Sequence, residues 1–107
     1  NENAKHFLVV FGSTYGPAKE AIEMLNKEGL DFGLISFSYL LPLDEAKTKA
    51  ALEGKDLIDV EANYNAQLAQ WIRMNTGIEI KKKIRDWSGE PFTAEQIYEQ
   101  AKRLVNA

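Results

Sequence analysis

The chain has no cysteine and a single histidine, His6, among its 107 residues. The lack of cysteine excludes disulfides, a thiol nucleophile and the thiolate ligands of iron–sulfur clusters. No apolar run approaches the ~20 residues of a membrane-spanning helix, and no signal peptide is recognisable. The net charge of −3 disfavours nucleic acid as a partner, because lysine and arginine drive phosphate binding. We therefore expect neither nucleic acid nor a membrane as a partner, and a cytoplasmic location.

What is present is typical of one globular domain. Hydrophobic residues make up 45% and charged residues 27% of the chain, which are ordinary values. A chain of this length can bury roughly two-thirds of its unfolded surface. We predict a single domain over residues 1–107. Because the chain begins at Asn1 without an initiator methionine, we expect a processed protein or a fragment of a longer one.

The strand pattern predicts the fold class. Residues 7–11 are all apolar, which is expected only where helices cover both faces of a parallel sheet. Further strands at 30–37, 57–60 and 78–84 alternate with helical segments, giving the order β-α-β-α-β-α-β-α. The last strand alternates apolar with charged residues, so it is predicted at a sheet edge. The prediction is an α/β protein, a three-layer α/β/α sandwich on a four- to five-stranded, mostly parallel sheet.

Boundary residues mark several of these elements. Pro17 is predicted at the first position of the first helix, and Gly29 just past its end. Glu61 is predicted to terminate the third strand. Thr93 and Gln96 have the spacing of a capping box at the start of the last helix.

Two polar turns follow strands at the carboxyl edge of the predicted sheet, where open α/β sheets place ligands and interfaces. The first, at residues 12–17, could hold an anion on the backbone N–H groups of a helix N-terminus. It lacks the lysine and the third glycine of the known phosphate-binding loops, so an ordinary strand-to-helix turn is the favoured interpretation. The candidate residues are Gly12, Ser13, Thr14, Tyr15 and Gly16.

The second polar turn is the stronger candidate for a functional surface. A carboxylate, amides and a phenol occur together there, in a loop and the first turn of a helix. Such groups suit fixed hydrogen bonds across an interface, and no general base or nucleophile stands among them. The candidate residues are Glu61, Asn63, Tyr64, Asn65 and Gln67.

Other polar residues favour ordinary structural explanations. His6 precedes the first strand, on the edge opposite the two turns, and is expected to be a solvated terminal histidine. Asp59 and Glu61 fall on one side of the third strand and could bind a hard cation, but two carboxylates alone make a poor site. Solvation at the strand end is the favoured interpretation for both. We predict no catalytic, cofactor-binding or metal-ligating residue in this chain.

A basic run and two tryptophans complete the candidates. Residues 81–83 are lysines, and Arg85 follows them. They could steer an acidic partner, although the wet face of an edge strand is the commoner role. Trp71 lies on the apolar side of its helix and is predicted in the core. Trp87 lies in a loop and suits either an interface or burial against the last helix.

Several segments together resemble one family. They are residues 11–21, 39–43, 60–68 and 89–93, in the family's order and spacing. The chain resembles the C-terminal, transketolase-C-like domain of the alpha subunit of 2-oxoacid:ferredoxin oxidoreductases. The tail, from Thr76 to Phe92, is most similar to the 2-oxoglutarate or broad 2-oxoacid type.

The resemblance implies a parent enzyme that oxidatively decarboxylates a 2-oxoacid, such as 2-oxoglutarate or pyruvate, to an acyl-CoA and passes electrons to ferredoxin. The parent complex is implied to use thiamine diphosphate, magnesium, CoA and iron–sulfur clusters, none of them bound by this domain. The implied partners are the preceding alpha-subunit domain and the beta subunit, with ferredoxin as partner of the complex. Two alternatives stay open: a stand-alone anion- or nucleotide-binding module using the turn at residues 12–17, and a regulatory effector domain.

Overall fold

A parallel β-sheet forms the centre of the molecule. The computed structural model describes residues 4–11, 14–37, 49–50, 52–62, 73, 77–86 and 92–106, with the backbone alone at residues 11, 37, 61–62 and 85–86. Within these ranges the sheet has four strands in the order β2-β1-β3-β4, and every pair is parallel. The strands are β1 (His6–Phe11), β2 (Phe32–Phe37), β3 (Asp56–Ala62) and β4 (Lys82–Asp86), and two helices are α1 (Tyr15–Lys27) and α2 (Ala94–Asn106). The predicted α/β class with a parallel sheet is confirmed.

Strand β1 is buried on both of its faces. Leu8 and Val10 pack in a core cluster with the apolar stripes of α1 and α2. Phe7 and Val9 pack in a second cluster, which includes Leu52 from a helical segment. Each of these β1 side chains is at most 4% exposed. The two clusters explain why β1 has no polar position between its first and last residues: alternate side chains enter opposite cores.

Two predicted boundaries differ from the structure. Helix α1 begins at Tyr15, so Pro17 is its third residue and not its first. The shift costs no hydrogen bond, because the first four N–H groups of a helix have no intrahelical acceptor. Strand β3 continues through Ala62, so the prediction that Glu61 terminates it is wrong. The strand continues because the register with β4 extends to Glu61 and Ala62.

Other boundaries agree with the sequence pattern. Gly29 follows α1 with a φ of +79°, and its N–H donates to the carbonyl of Asn26. At the start of α2, the N–H of Thr93 donates to Gln96 Oε1 at 2.9 Å, and the N–H of Gln96 donates to Thr93 Oγ1 at 3.2 Å. This is the predicted capping box. Strand β4 is an edge strand of the described sheet, as predicted, although it begins at Lys82 and not near residue 78.

A polar cluster joins the strands at the amino edge of the sheet, and we call His6, Asp56 and Lys82 the amino-edge cluster. His6 Nδ1 lies 2.6 Å from Asp56 Oδ2, and Lys82 Nζ lies 2.9 and 3.1 Å from the two oxygens of the same carboxylate. A carboxylate can only accept, so Nδ1 carries the proton. The imidazole also contacts the ring of Phe32 on β2, with centroids 5.1 Å apart. The expectation of a solvated His6 is wrong, since it is three-quarters buried and connects β1 to both neighbouring strands.

The amino-edge cluster changes the acidity of Asp56. Partial burial raises the pKa of its carboxyl, but hydrogen bonds and charge from His6 and Lys82 outweigh that effect and bring the pKa below its ordinary value. The pKa is therefore lower in the folded than in the unfolded chain. Asp56 contributes stability above its unfolded pKa and loses that contribution as pH falls towards its folded pKa.

The capping box is tested with Thr93→Ala, Gln96→Ala and the double variant. We expect Thr93→Ala to lower the free energy of unfolding by about 1 kcal/mol, because it leaves an N–H of the first turn without an acceptor. The double variant should cost less than the two single variants added, since each residue caps the other. Chemical denaturation measures all three, with exposed Glu20→Ala as control. Strict additivity would contradict a reciprocal box.

The amino-edge cluster is tested with Asp56→Asn. We expect the free energy of unfolding to drop by about 1–2 kcal/mol at pH 7, because the three hydrogen bonds from His6 and Lys82 lose their charged acceptor. The difference from the original chain should shrink as pH falls from the unfolded pKa of Asp56 towards its lower folded pKa. Denaturation at several pH values measures this, with exposed Glu20→Gln as the matched carboxyl-to-amide control. A difference that grows on acidification would show that the sign of the Asp56 shift is wrong.

Candidate functional site

The first candidate turn lies at the carboxyl edge of β1, where α1 begins. Thr14 is the N-cap residue of α1 and only 5% exposed, but its side chain makes no capping hydrogen bond. Tyr15 is 45% exposed, the highest exposure of any large hydrophobic side chain among the described residues. Gly16 is exposed, and a Cβ added there would meet no atom within 4 Å. This edge therefore presents an exposed phenol beside an open helix start, without an acidic side chain in the first turn.

Three of the ten candidate residues, Thr14, Tyr15 and Gly16, are placed together at this edge. Glu61 lies in β3, which pairs with β1, so the strands leading to both candidate turns are neighbours in the sheet. The remaining candidates lie outside the described residues: Gly12, Ser13, Asn63, Tyr64, Asn65 and Gln67. The prediction that both turns share one functional surface remains a prediction.

Asp59 differs from its expected environment. Its side chain is fully buried, and its register partners are Val9 on β1 and Lys83 on β4. The expectation of a solvated strand end is wrong for Asp59, because β3 extends three residues beyond it and places it mid-sheet. Among the described residues, no group of three or more His, Cys, Asp or Glu side chains could hold a metal ion.

The three lysines of the basic run, residues 81–83, have two different environments. Lys82 belongs to the amino-edge cluster, while Lys81 and Lys83 are exposed. Neither exposed lysine forms an ion pair within the part of the chain that the structure describes. The favoured interpretation of a wet edge therefore fits Lys81 and Lys83, but not Lys82. Trp71 and Trp87 lie outside the described residues.

Sequence reasoning missed a groove at the amino edge, which we call the amino-edge groove. It has a volume of about 370 Å³ and lies between residues 52–57, which lead into β3, and residues 78–82, which lead into β4. Asp56 and Lys82 line it, so the amino-edge cluster forms part of its wall. The signal was present in the sequence only as polar residues at the starts of strands. Only the strand order β2-β1-β3-β4 shows that His6, Asp56 and Lys82 lie close together.

The chemistry available at the amino edge is that of recognition. Asp56 orients the His6 imidazole as a carboxylate does in a catalytic triad, but the described residues that line the groove include no serine, threonine or cysteine. Its charged groups are lysines and carboxylates in similar number above an apolar floor. The cysteine-free sequence does not fit the donor set of an iron–sulfur cluster. In the described ranges, no helix has the length and apolar character needed to cross a membrane.

Comparisons with known proteins support the fold, and the matches cover nearly the whole chain. Residues 4–102 match the family described as pyruvate:ferredoxin oxidoreductase core domain II. The alpha subunit of the 2-oxoacid:ferredoxin oxidoreductase of Saccharolobus solfataricus is 33% identical over 98% of this chain and 17% of its own length. An alpha subunit from Aeropyrum pernix is 34% identical with the same coverage. The chain thus spans about a sixth of the length of the curated relatives it matches.

Two solved structures share the fold at more than 30% identity. The 2-oxoglutarate:ferredoxin oxidoreductase of Magnetococcus marinus, solved with 2-oxoglutarate, coenzyme A and succinyl-CoA bound, has a TM-score of 0.81 at 31% identity, covering 95% of this chain and 18% of that one. The alpha chain of a probable 2-oxoacid ferredoxin oxidoreductase from Thermoplasma acidophilum has a TM-score of 0.73 at 37% identity, covering 100% of this chain and 93% of that one. The resemblance found in the sequence is confirmed: this chain belongs to the family of pyruvate:ferredoxin oxidoreductase core domain II.

Proposed function

We propose that this chain is the assembly domain of the alpha subunit of a thiamine-diphosphate-dependent 2-oxoacid:ferredoxin oxidoreductase. The parent enzyme would oxidatively decarboxylate a 2-oxoacid to its acyl-CoA and deliver the electrons to ferredoxin. The observation that carries this proposal is the family match over residues 4–102, together with alpha-subunit relatives that align with nearly the whole chain. The ligands of the Magnetococcus enzyme, 2-oxoglutarate, coenzyme A and succinyl-CoA, support 2-oxoglutarate as the substrate. The comparisons do not favour the stand-alone anion-binding module.

The residues of this chain support a role in assembly and not in the chemical step. Thiamine diphosphate supplies decarboxylation chemistry when bound in the parent enzyme, and iron–sulfur clusters carry its electrons. This chain has no cysteine to hold a cluster. The described residues include no group of three or more His, Cys, Asp or Glu side chains that could hold a metal ion. Its contribution would be contacts with the preceding alpha-subunit domain and with the beta subunit. A reducing cytoplasm is the proposed location, because the chain needs no disulfide.

The carboxyl edge is the proposed contact surface. Tyr15 is an exposed aromatic residue at the start of α1, and tyrosine is enriched among the residues that dominate binding energy at interfaces. It lies beside Gly16, whose missing side chain leaves the backbone open to a close neighbour. Asn63 and Gln67 are proposed to contribute amide hydrogen bonds on the same surface.

The assignment to an assembly role is tested by activity. We expect residues 1–107 alone to show no 2-oxoacid-dependent reduction of a viologen dye, even with thiamine diphosphate, magnesium and CoA, because the reacting groups lie in other parts of the enzyme. The intact alpha–beta enzyme, assayed in parallel, is the positive control. Turnover by the isolated chain would overturn the proposal.

The contact surface is tested with Tyr15→Ala in the intact enzyme. We expect the alpha subunit to bind the beta subunit more weakly. The binding free energy should become less favourable by about 2 kcal/mol if Tyr15 is an anchor of the interface. The stability of the isolated domain should change by no more than about 0.5 kcal/mol, since Tyr15 is half exposed. Asn63→Ala and Gln67→Ala should act in the same direction, and Glu23→Ala, on the exposed side of α1, is the control. Analytical ultracentrifugation measures association. A large loss of stability with unchanged association would count against this surface.

A further inference from the structure

Both ends of the described chain lie at the amino edge of the sheet. Strand β1 starts there with His6, whose N–H donates to the carbonyl of Asp31, just before β2. Helix α2 returns to the same edge: Tyr98 and Lys102 bond to Glu28, which follows the end of α1. In the curated relatives this unit is about a sixth of a longer polypeptide. The amino edge is therefore where the remaining polypeptide of such a subunit would connect.

The two ends approach this edge from opposite faces of the sheet. Helix α2 packs in the first core cluster, with Ile97 and Ala101. Ala4 packs instead against the second cluster, which contains Leu52 and Ile80. The amino-edge groove is lined by members of this second cluster. A polypeptide leading into Ala4 thus arrives on the side of the sheet that carries the groove.

The walls of the groove suit a peptide segment of mixed character. Leu52, Leu57 and Ile80 are nearly fully buried in its floor, and Ile78 is half-buried above them. Charged side chains of both signs line the opening, including exposed Glu79 and Lys81. An apolar floor with a charged border is the usual arrangement of a protein–protein contact. A volume of about 370 Å³ accommodates one or two side chains and not a folded domain.

We propose that the amino-edge groove receives the polypeptide that immediately precedes this domain in the full-length alpha subunit. One of its apolar side chains would sit against Ile78, and its charged groups would meet Glu79 and Lys81. The inference rests on the proposed function, because it requires a longer alpha subunit. The amino-edge cluster holds the groove in shape, since Asp56 and Lys82 join its two walls directly. The groove is thus a preformed binding site, and it lies on the edge opposite the contact surface around Tyr15.

The test compares chemical labelling of the isolated domain with that of the intact alpha subunit. The isolated domain is a sound reference, because the Thermoplasma chain solved by crystallography extends little beyond this unit. Carbodiimide coupling reports Glu79, acetylation reports Lys81 and nitration reports Tyr15, each read by mass spectrometry. We expect Glu79 and Lys81 to react several-fold more slowly in the alpha subunit, before the beta subunit is added.

A matched pair of variants tests whether the groove itself is responsible. Lys81→Glu reverses a charge at the groove, and Lys83→Glu makes the same change at an exposed lysine that does not line it. We expect Lys81→Glu to restore several-fold faster labelling of Glu79 in the alpha subunit, and Lys83→Glu to leave it unchanged. Equal effects of the two variants would overturn the proposal, since a general charge effect would then explain both.

The labelling pattern separates this inference from the proposed function. If Tyr15 is protected in the complete enzyme while Glu79 and Lys81 label as in the isolated domain, the groove has no such occupant and the assembly role stands. If protection of Glu79 and Lys81 appears only after the beta subunit is added, the occupant is the beta subunit and the inference is overturned. If all three residues label equally in the complete enzyme and in the isolated domain, both proposals fail.

Discussion

Burial of β1 on both faces is the constraint on which the rest of this structure depends. A strand with apolar side chains on both sides needs a core above and below it, and the two clusters built on Leu8 and Val10 and on Phe7 and Val9 provide them. Both neighbours of β1, strands β2 and β3, are parallel to it, which is the usual arrangement of a sheet buried on both faces. The amino-edge cluster and the exposed Tyr15 lie at the two edges where strands begin and end, whereas Asp59 is buried in mid-sheet.

The two edges differ in their physical character. At the carboxyl edge an exposed aromatic side chain stands at an uncapped helix start, with no charge partner in the first turn. At the amino edge a carboxylate accepts hydrogen bonds from a histidine and a lysine of neighbouring strands and is one of the residues that line a groove. The first edge suits contact with a preformed surface, since a rigid phenol loses little entropy on binding. The second would suit a segment of chain, because its groove has a volume of about 370 Å³ and is lined by charged side chains of both signs.

Under the proposed function, this domain would contribute to catalysis without supplying a reacting atom. Its family and its curated relatives are those of 2-oxoacid:ferredoxin oxidoreductase alpha subunits, of which this unit spans about a sixth. Its own sequence lacks the thiols that electron-carrying clusters require. In a parent enzyme, the capping box at Thr93 and the amino-edge cluster would stabilise the two edges of the domain that neighbouring domains contact.

Local chemistry made much of the fold readable from the sequence. Three features were predicted from short stretches of sequence: the apolar run of β1, the glycine after α1, and the capping box of Thr93 with Gln96. Each depends on residues close together in the sequence, which determine the local backbone conformation or the burial of a strand. Only the tertiary structure decided the fates of His6 and Asp59. Residues fifty positions apart became hydrogen-bonded because β3 lies beside β1, and a carboxylate expected in water became buried because β3 extends beyond it. Strand order and strand length are set by packing across the whole sheet, and no local pattern encodes which strand a side chain will face.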